Sequence, residues 1–526
     1  MILRFKGDAL LKQTNIASWK SAFQTYTHPR VLTLFFFGFS AGLPFLLIFG
    51  TLSLWLKKAQ VDTSTITYFS WAALGYSFKF VWAPLMDRLP LPVLDRVLGR
   101  RRSWLLLAQI LIVVAISWMA LTEPKAALMQ MAYAAVLLGF AAASQDIVID
   151  AFRIEAAAKQ YQAAMSAMYT AGYRCGMLLA GAGAFYLVAF LGTENTYVYD
   201  AWKYTYLIMA AFMLVGISTT LIVSEPERNK QIDTHIHSTL DYLRFLLLFA
   251  MTTSIFVLVF VYLNPVEMLF RVLHESVGMD PLLTRFIGQL IRLLLASLGA
   301  LSAAYVLVSL HIVNKTMVIE TYIAPFVDFV RRYRHTFIIV LLLIGFYRVS
   351  DVVLGAVAII FYDDLGFSEV EIATISKTFG LIMIVLGGFV GGVLTARYGV
   401  LRILLLGSIL AAATNILFMI MVSVGHNALM LTLVIAADNL SAGLAGTAFI
   451  AYLSGLTNIS FTAMQYAIFS SVMTLFPKLI SGYSGSMVEN IGFKDFFLLT
   501  TLMGIPVILL ILYLIRHDET NNSTTQ

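Results

Sequence analysis

Apolar runs of about twenty residues recur along this chain from end to end, and one such run crosses the roughly 30 Å of bilayer hydrocarbon as a single helix. Lipid offers no partner for backbone N–H and C=O groups, so a chain patterned this way is confined to bundled helices. Its 526 residues are 60% hydrophobic and only 12% charged, whereas soluble domains run near a quarter charged. A large soluble enzyme is excluded. The runs predict fourteen spans, at 31–56, 65–86, 103–122, 128–152, 162–190, 204–223, 244–263, 285–312, 336–361, 370–396, 402–424, 428–453, 462–483 and 496–516. An even number places both termini on one side. Loops on that side carry 19 of the 35 Lys and Arg residues and the opposite loops 6; the other ten fall within the span bounds, with Lys79, Arg174, Arg292, Arg348 and Lys478 well inside them. The positive-inside rule therefore puts both termini in the cytoplasm. The +6 net charge is explained by topology and calls for no nucleic-acid partner. Arg4, Lys6, Lys12 and Lys20 precede the first run without a short apolar core and cleavage site, so no removable signal peptide is expected. A single cysteine, Cys175, leaves no disulfide framework and no metal-ligand spacing; no metal or cofactor is expected.

Charge-rich linkers divide the spans into a cytoplasmic segment (1–30), a six-helix bundle (31–223), a linker with two extra spans (224–335), a second six-helix bundle (336–516) and a tail (517–526). In the first segment Ile16, Trp19, Phe23 and Tyr26 share one helical face, which predicts a short helix lying in the membrane plane. A repeat links the two bundles at the connection between their second and third helices. "PLMDRLPLPVLDRVLGRRRSW" carries Asp87, Arg88, Gly99, Arg100, Arg101 and Arg102. "GGVLTARYGVLRILL" carries Gly392, Leu394, Arg397, Gly399 and Arg402, with Ala396 where an acidic residue is expected. This pair resembles the loop motif of the major facilitator superfamily, in which two six-helix halves move around a central midplane site. The resemblance implies that fold, all-helical and polytopic, with two spans added between the halves, and it makes these residues a gating loop.

The chemistry sits inside the spans. "AAASQDIVIDAFRIE" places Asp146, Asp150 and Arg153 on one helical face. A charge at the centre of a spanning helix costs about 2.5–3.5 kcal/mol on insertion scales, so such groups face partners, water or each other. A carboxylate that alternates between an apolar setting and a cationic one can take up a proton on one side and release it on the other. Lys79 in "GYSFKFVWAP" and Arg174 in "GYRCGMLLAGAG" are candidate partners, although Asp150 and Arg153 can also pair locally at the cytoplasmic end. The second bundle adds Arg348 and Asp351, three apart and able to pair, then Asp438 and Asn439, with Lys377 and Lys478 completing the set. So many ionisable groups fit a polar central cavity. Trp55, Trp71, Trp82, Tyr76 and Tyr173 are within reach of it.

Gly172, Gly176 and Ala180, and the pairs Gly387/Gly391 and Gly388/Gly392, form small-residue stripes that let helices approach closely; in the superfamily layout these two helices meet between the halves. Pro44, Pro84 and Pro477 can bend their helices. "GFSAG" at 38–42 matches a nucleophile elbow, but it lies in a helical apolar run without a suitably placed histidine. A phosphate-binding loop is absent from the sequence, which argues against an ATP-driven pump.

"GFSAGLPFLL", "YSFKFVWAPLMDR", "GRRRSWLL", "ASQDIVIDAFRIE", "GYRCGMLLAG" and "DNLSAGLAGTAFIAYLSGLTN" together resemble the AmpG-type muropeptide permeases over most of residues 26 to 516. That resemblance implies proton-coupled import of N-acetylglucosaminyl-1,6-anhydro-N-acetylmuramyl peptides across the bacterial inner membrane, for cell-wall recycling and, where β-lactamase is inducible, its induction. It puts Asp146 and Asp150 at the family's essential acidic pair and Lys79, Arg174, Asp351 and Asp438 along the cavity. Its partners would be the anhydromuropeptide, protons and the lipid bilayer, and the protein would work as a monomer. The family's extra helices are expected after the second block, whereas here they fall between the blocks, at 244–312, which suggests a packing scaffold. Two other readings remain. One is an acetyl-CoA or other anionic-solute transporter of the same superfamily; the other is a membrane-embedded transferase.

Overall fold

The computed structural model describes residues 19–62, 65–66, 69, 76, 79–192, 197–227, 239–262 and 281–523. As the patterning demands, these residues are helical wherever they are apolar. A short helix α1 (Trp19–Gln24) leads into α2 (Pro29–Lys58). The second span is described at its C-terminal end, α3 (Ala83–Arg88). Then follow α4 (Arg100–Ala120), α5 (Pro124–Ala156), α6 (Lys159–Leu191) and α7 (Tyr199–Ile222). A hairpin of α8 (Leu240–Phe260) and α9 (Pro281–Ser309) comes next, and then the short helix α10 (Ala324–Tyr333). The second bundle is α11 (Phe337–Asp364), α12 (Ile372–Tyr398), α13 (Val400–Val424), α14 (Ala428–Leu456), α15 (Ile459–Lys478) and α16 (Ser484–His517).

Among the described residues twelve helices are long and apolar enough to cross a membrane, against the fourteen expected. Most of the predicted span 65–86 lies outside the described residues. The predicted span 285–312 falls on α9, whose apolar stretch, Leu294–Ser309, is only 16 residues long.

Lipid tails are as apolar as leucine, so helices in a bilayer associate through close backbone packing rather than hydrophobic burial. Gly38 and Gly42 on α2 face Gly172 and Gly176 on α6 so closely that a Cβ on any of the four would overlap a backbone carbonyl of the opposing helix. Gly387 and Gly391 on α12 press in the same way on Leu440 and Leu444 of α14. This corrects the expectation from the stripes. Helices α6 and α12 do pack against each other between the halves, but their glycines serve mainly contacts within each half; Gly392, beside the Ala163 carbonyl, is the cross-half exception. Gly172→Val is expected to cost about 1–3 kcal/mol or more, because backbone cannot yield as a side chain does. Gly446→Ala, with open space at its Cβ, is the control. Melting temperatures in detergent check both, and an unshifted Gly172→Val would deny the close packing.

Arg292 of α9 donates to the Phe260 carbonyl of α8 at 2.5 and 3.1 Å and lies over the Phe260 ring. This charge inside the second of the predicted extra spans therefore binds the hairpin to itself. Pro44 sits inside α2, which breaks five residues later at Phe49; Pro84 opens α3, and Pro477 lies within α15. Of the predicted amphipathic face, Ile16 lies outside the described residues. Phe23 is exposed, while Trp19 and Tyr26 reach across to α12: the Arg397 guanidinium lies 4.3 Å from the Trp19 ring centre, and the Tyr26 hydroxyl donates to the Phe389 carbonyl at 3.0 Å.

Candidate functional site

The charged residues of the spans fall into two groups, a network that ties the two bundles together near one end and a second set further along the helices. At this seam, Gly99 adopts φ +85°, a conformation that favours glycine, and starts α4. Arg101, 1% exposed, then turns inward and donates to Asp87 Oδ1 at 2.8 Å, to Glu155 at 2.5 and 3.0 Å, and to the Met86 carbonyl at 3.0 Å. Arg100 donates to the Asp87 carbonyl at 2.6 Å and to Glu155 at 3.5 Å. The Asp87 carboxylate also reaches the other bundle, accepting from the Ala463 N–H at 3.0 Å and the Met464 N–H at 2.8 Å. These are free donors in the first turn of a helix, where the macrodipole favours an anion. Arg88 completes the crossing, lying over the Phe461 ring and donating to the Glu320 carbonyl. Arg102 holds the Thr220 and Leu221 carbonyls, and Glu225 caps α4 by accepting from the Arg101 and Arg102 N–H groups at 2.8 and 3.0 Å. Burial raises the Glu225 carboxyl above the ordinary carboxylate range, although these donors oppose the shift.

The second copy of the loop behaves differently. Gly399 has the same conformation, φ +88°, which confirms the repeat in the backbone. With alanine at 396, however, no charge network like the first forms there. Arg397 stacks on Trp19 and Tyr398, and Arg402 is exposed. Asp328 of α10 accepts from Arg332 Nε at 2.9 Å, Gln465 Nε2 at 2.8 Å and Asn458 Nδ2 at 3.0 Å. The sequence reading did not single out Asp328, Arg332, Gln465 or Glu225. The i, i+4 pair in "DFVRR" was the available signal for the first two.

Further along, the acidic face of α5 divides. Arg153, fully buried, donates to Asp150 at 3.2 Å and Ser166 at 3.1 Å, and to Ser454 of the other bundle at 2.7 Å; its guanidinium lies 5.1 Å from the Tyr466 ring centre. Lys79 stands 3.8 Å from the other Asp150 oxygen. Asp150 is thus committed to two cations in the seam. Asp146, one turn away, stays half-buried and makes no ion pair among the described residues; its carboxylate accepts from the Tyr169 hydroxyl at 3.4 Å. Tyr76, Tyr173 and Lys79 are within electrostatic range of it.

Across from this group, Arg348 sits at a break in α11, between helical stretches Phe337–Phe346 and Val349–Asp364. It is within electrostatic range of Arg174 on α6 and of Asp351 on its own helix. The two do not form the local ion pair that their spacing allowed. Asp438 accepts from Thr414 at 3.4 Å, while Asn439 donates back to the Ile435 carbonyl at 3.0 Å. Asp146, Tyr173, Arg174, Arg348, Asp351 and Asp438 are each enclosed by protein yet keep accessible surface. Groups on a lipid-facing wall would not be enclosed, and groups in a packed core would not be accessible. Lys377 and Lys478 are exposed.

The expected aromatic lining is smaller than the sequence suggested. Trp55 is fully buried, stacked on Trp202 at 5.6 Å, and Trp82 is buried with its indole N–H on Ser144. Trp71 lies outside the described residues. Tyr76 and Tyr173 remain, joined by Tyr169.

Comparison with known proteins follows this geometry. A family model described as Major Facilitator Superfamily matches residues 34–350 and 337–526. The chain is 29% identical to "Putative transporter AmpG 4" of Rickettsia conorii over 485 residues, covering 92% of this chain and 96% of that protein. It is also 29% identical to "Anhydromuropeptide permease" of Escherichia coli K12 over 489 residues, covering 93% and 80%. Among solved structures, the E. coli fucose:proton symporter superposes with a TM-score of 0.59 at 10% identity, covering 93% and 99%. A proton:xylose symporter superposes with 0.56 at 13% identity, covering 94% and 96%. At such identities these structures speak to the fold alone.

Proposed function

The chain belongs to the major facilitator superfamily, and on that premise we propose that it is a proton-coupled importer of N-acetylglucosaminyl-1,6-anhydro-N-acetylmuramyl peptides. It would carry them across a bacterial inner membrane for peptidoglycan recycling, and by that route toward β-lactamase induction. In this reading it is a fourteen-span monomer with both termini in the cytoplasm, no nucleic-acid partner and no enzymatic activity. The observation that carries it is the enclosed but accessible set of charged groups between two halves that are clasped at one end, by Asp87 on Ala463 and Met464 and by Arg153 on Ser454. A passage closed toward one compartment and polar within is half of an alternating-access cycle. The relatives named AmpG and anhydromuropeptide permease support the choice of solute.

The physics suits an anionic glycopeptide. Each negative charge entering a negative interior opposes about 2.3 kcal/mol per 100 mV, and one co-transported proton per charge cancels that penalty. Asp146 would hold such a proton, being half-buried and without an ion pair among the described residues. The test is uptake of labelled anhydromuropeptide into vesicles holding the protein. An acid-outside gradient should drive accumulation above the outside concentration, and collapsing it should leave only equilibration. Flux indifferent to the gradient sinks the coupling. Two arginines of the spans without an ion pair among the described residues, Arg174 and Arg348, also suit a phosphate-bearing solute; uptake of labelled acetyl-CoA without uptake of muropeptide would move the assignment to that alternative.

A further inference from the structure

Between the extra hairpin and the second bundle the chain is helical from 315 to 333, in three successive stretches: Lys315–Val318, Ile319–Ile323 and Ala324–Tyr333. At about 1.5 Å per residue, that is about 28 Å of helix. It joins two apolar helices, since α9 ends at Ser309 and α11 begins at Phe337. With α9 and α11 both crossing the bilayer, a connection of that length runs along the membrane face.

Its two sides differ. The inner side is bonded to both halves: Arg88 donates to the Glu320 carbonyl at 3.3 Å, and Gln465 Nε2 donates to the Pro325 carbonyl at 2.8 Å. Val318 and Tyr322 pack against the core that holds Leu85, Leu89 and Met464, and the Phe329 ring lies 5.0 Å from Phe469. The outer side carries Ile319, Ile323, Phe326, Val327 and Val330, spaced as one helical face and each between 38% and 48% exposed. Lys315, Arg331 and Arg334 flank that stripe at its two ends, exposed and without an ion pair among the described residues. Of the two acids on the helix, Asp328 is turned inward onto Gln465 and Asn458, and Glu320 is half-buried. An apolar stripe ending in cations suits a helix lying in the interface, its apolar side among acyl chains and its basic groups at the level of the phosphates. The sequence predicted such a helix at the start of the chain, where α1 instead docks on α12.

We propose that the outer face of residues 315–333 is a binding site for anionic phospholipid. Acyl chains lie along Ile319, Ile323, Phe326, Val327 and Val330, while Lys315, Arg331 and Arg334 hold the headgroup phosphates. The site goes beyond the transport reading and is independent of the solute.

The test places the full chain in phosphatidylcholine nanodiscs, with a bimane fluorophore on the cysteine of Val327→Cys in a Cys175→Ser background. Each disc preparation carries a small share of acyl-nitroxide lipid, with either a phosphatidylglycerol or a phosphatidylcholine headgroup. Quenching by the anionic label should exceed quenching by the zwitterionic one by about twofold or more. Lys315→Gln, Arg331→Gln and Arg334→Gln together should equalise the two labels, and the three corresponding arginine or lysine exchanges should preserve the difference. High salt, which screens exposed charges, should shrink the difference in the protein that keeps all three cations, a reading independent of how the glutamine variant folds. Absence of quenching by either label would overturn the site, because the stripe would then face water or another protein. Equal quenching from the outset, or a preference unmoved by both the glutamines and the salt, would overturn it too.

Discussion

Asp146→Asn is expected to bring gradient-driven accumulation down to the level of vesicles lacking the protein, while solute exchange across the membrane continues. Asparagine keeps the shape of the side chain and can still accept from the Tyr169 hydroxyl, but it cannot carry a proton. Asp150→Asn should fail in another way. Asp150 neutralises Arg153 at 3.2 Å and stands 3.8 Å from Lys79, so its loss leaves two cations in the seam with no carboxylate in contact. Removing one partner of a buried pair costs about 3–5 kcal/mol. The expected signs are a lower melting temperature and poor recovery from the membrane, even without solute. Uptake and thermal stability measured side by side separate the roles, and concentrative uptake that survives in Asp146→Asn would remove that residue from the coupling.

The second large effect is expected at Arg101. Its guanidinium answers Asp87 and Glu155 together, and Asp87 in turn reaches the first turn of α15. Arg101→Ala leaves Asp87 without its ion pair and Glu155 with the longer contact to Arg100 alone, at a cost of about 3–5 kcal/mol. That cost falls on the clasped state, so the balance moves toward opening at this end. Arg101→Lys should rescue only part, because an ammonium cannot fork between two carboxylates. Reactivity of a cysteine at Ser454, in a Cys175→Ser background, toward an impermeant thiol reagent reads the opening. Arg101→Ala should raise it strongly; equal reactivity in both proteins would mean the network does not hold the seam.

The fold was legible because lipid leaves a chain few choices: length and hydropathy alone locate most of the helices. The loop motif was legible as a repeat, and Gly99 and Gly399, at matching places in it, share one backbone conformation. Tertiary partners were not. Asp146 and Asp150 read as a pair from one helix, yet what separates them is Lys79 on another helix and Arg153 one turn on, and no periodicity weighs the two. The glycine stripes announced close approach without naming the partner, which proved to be α2 for α6. Asp328 was missed because its counterparts, Gln465 and Asn458, lie more than a hundred residues away. Trp55 and Trp82 looked available because composition does not tell a packed ring from a lining one.

Helix α1 is connected to the first bundle and docked on the second, through Trp19 beneath Arg397 and the Tyr26 hydroxyl on Phe389. It therefore straddles the joint about which the bundles would have to turn. Any swing that parts them there has to lengthen or detach this tether, so the stroke of the machine is written partly into the few residues between Trp19 and Pro29. A load hung on the leading end of the chain, whether a fusion partner or a binding protein, would be felt as drag on each inward swing.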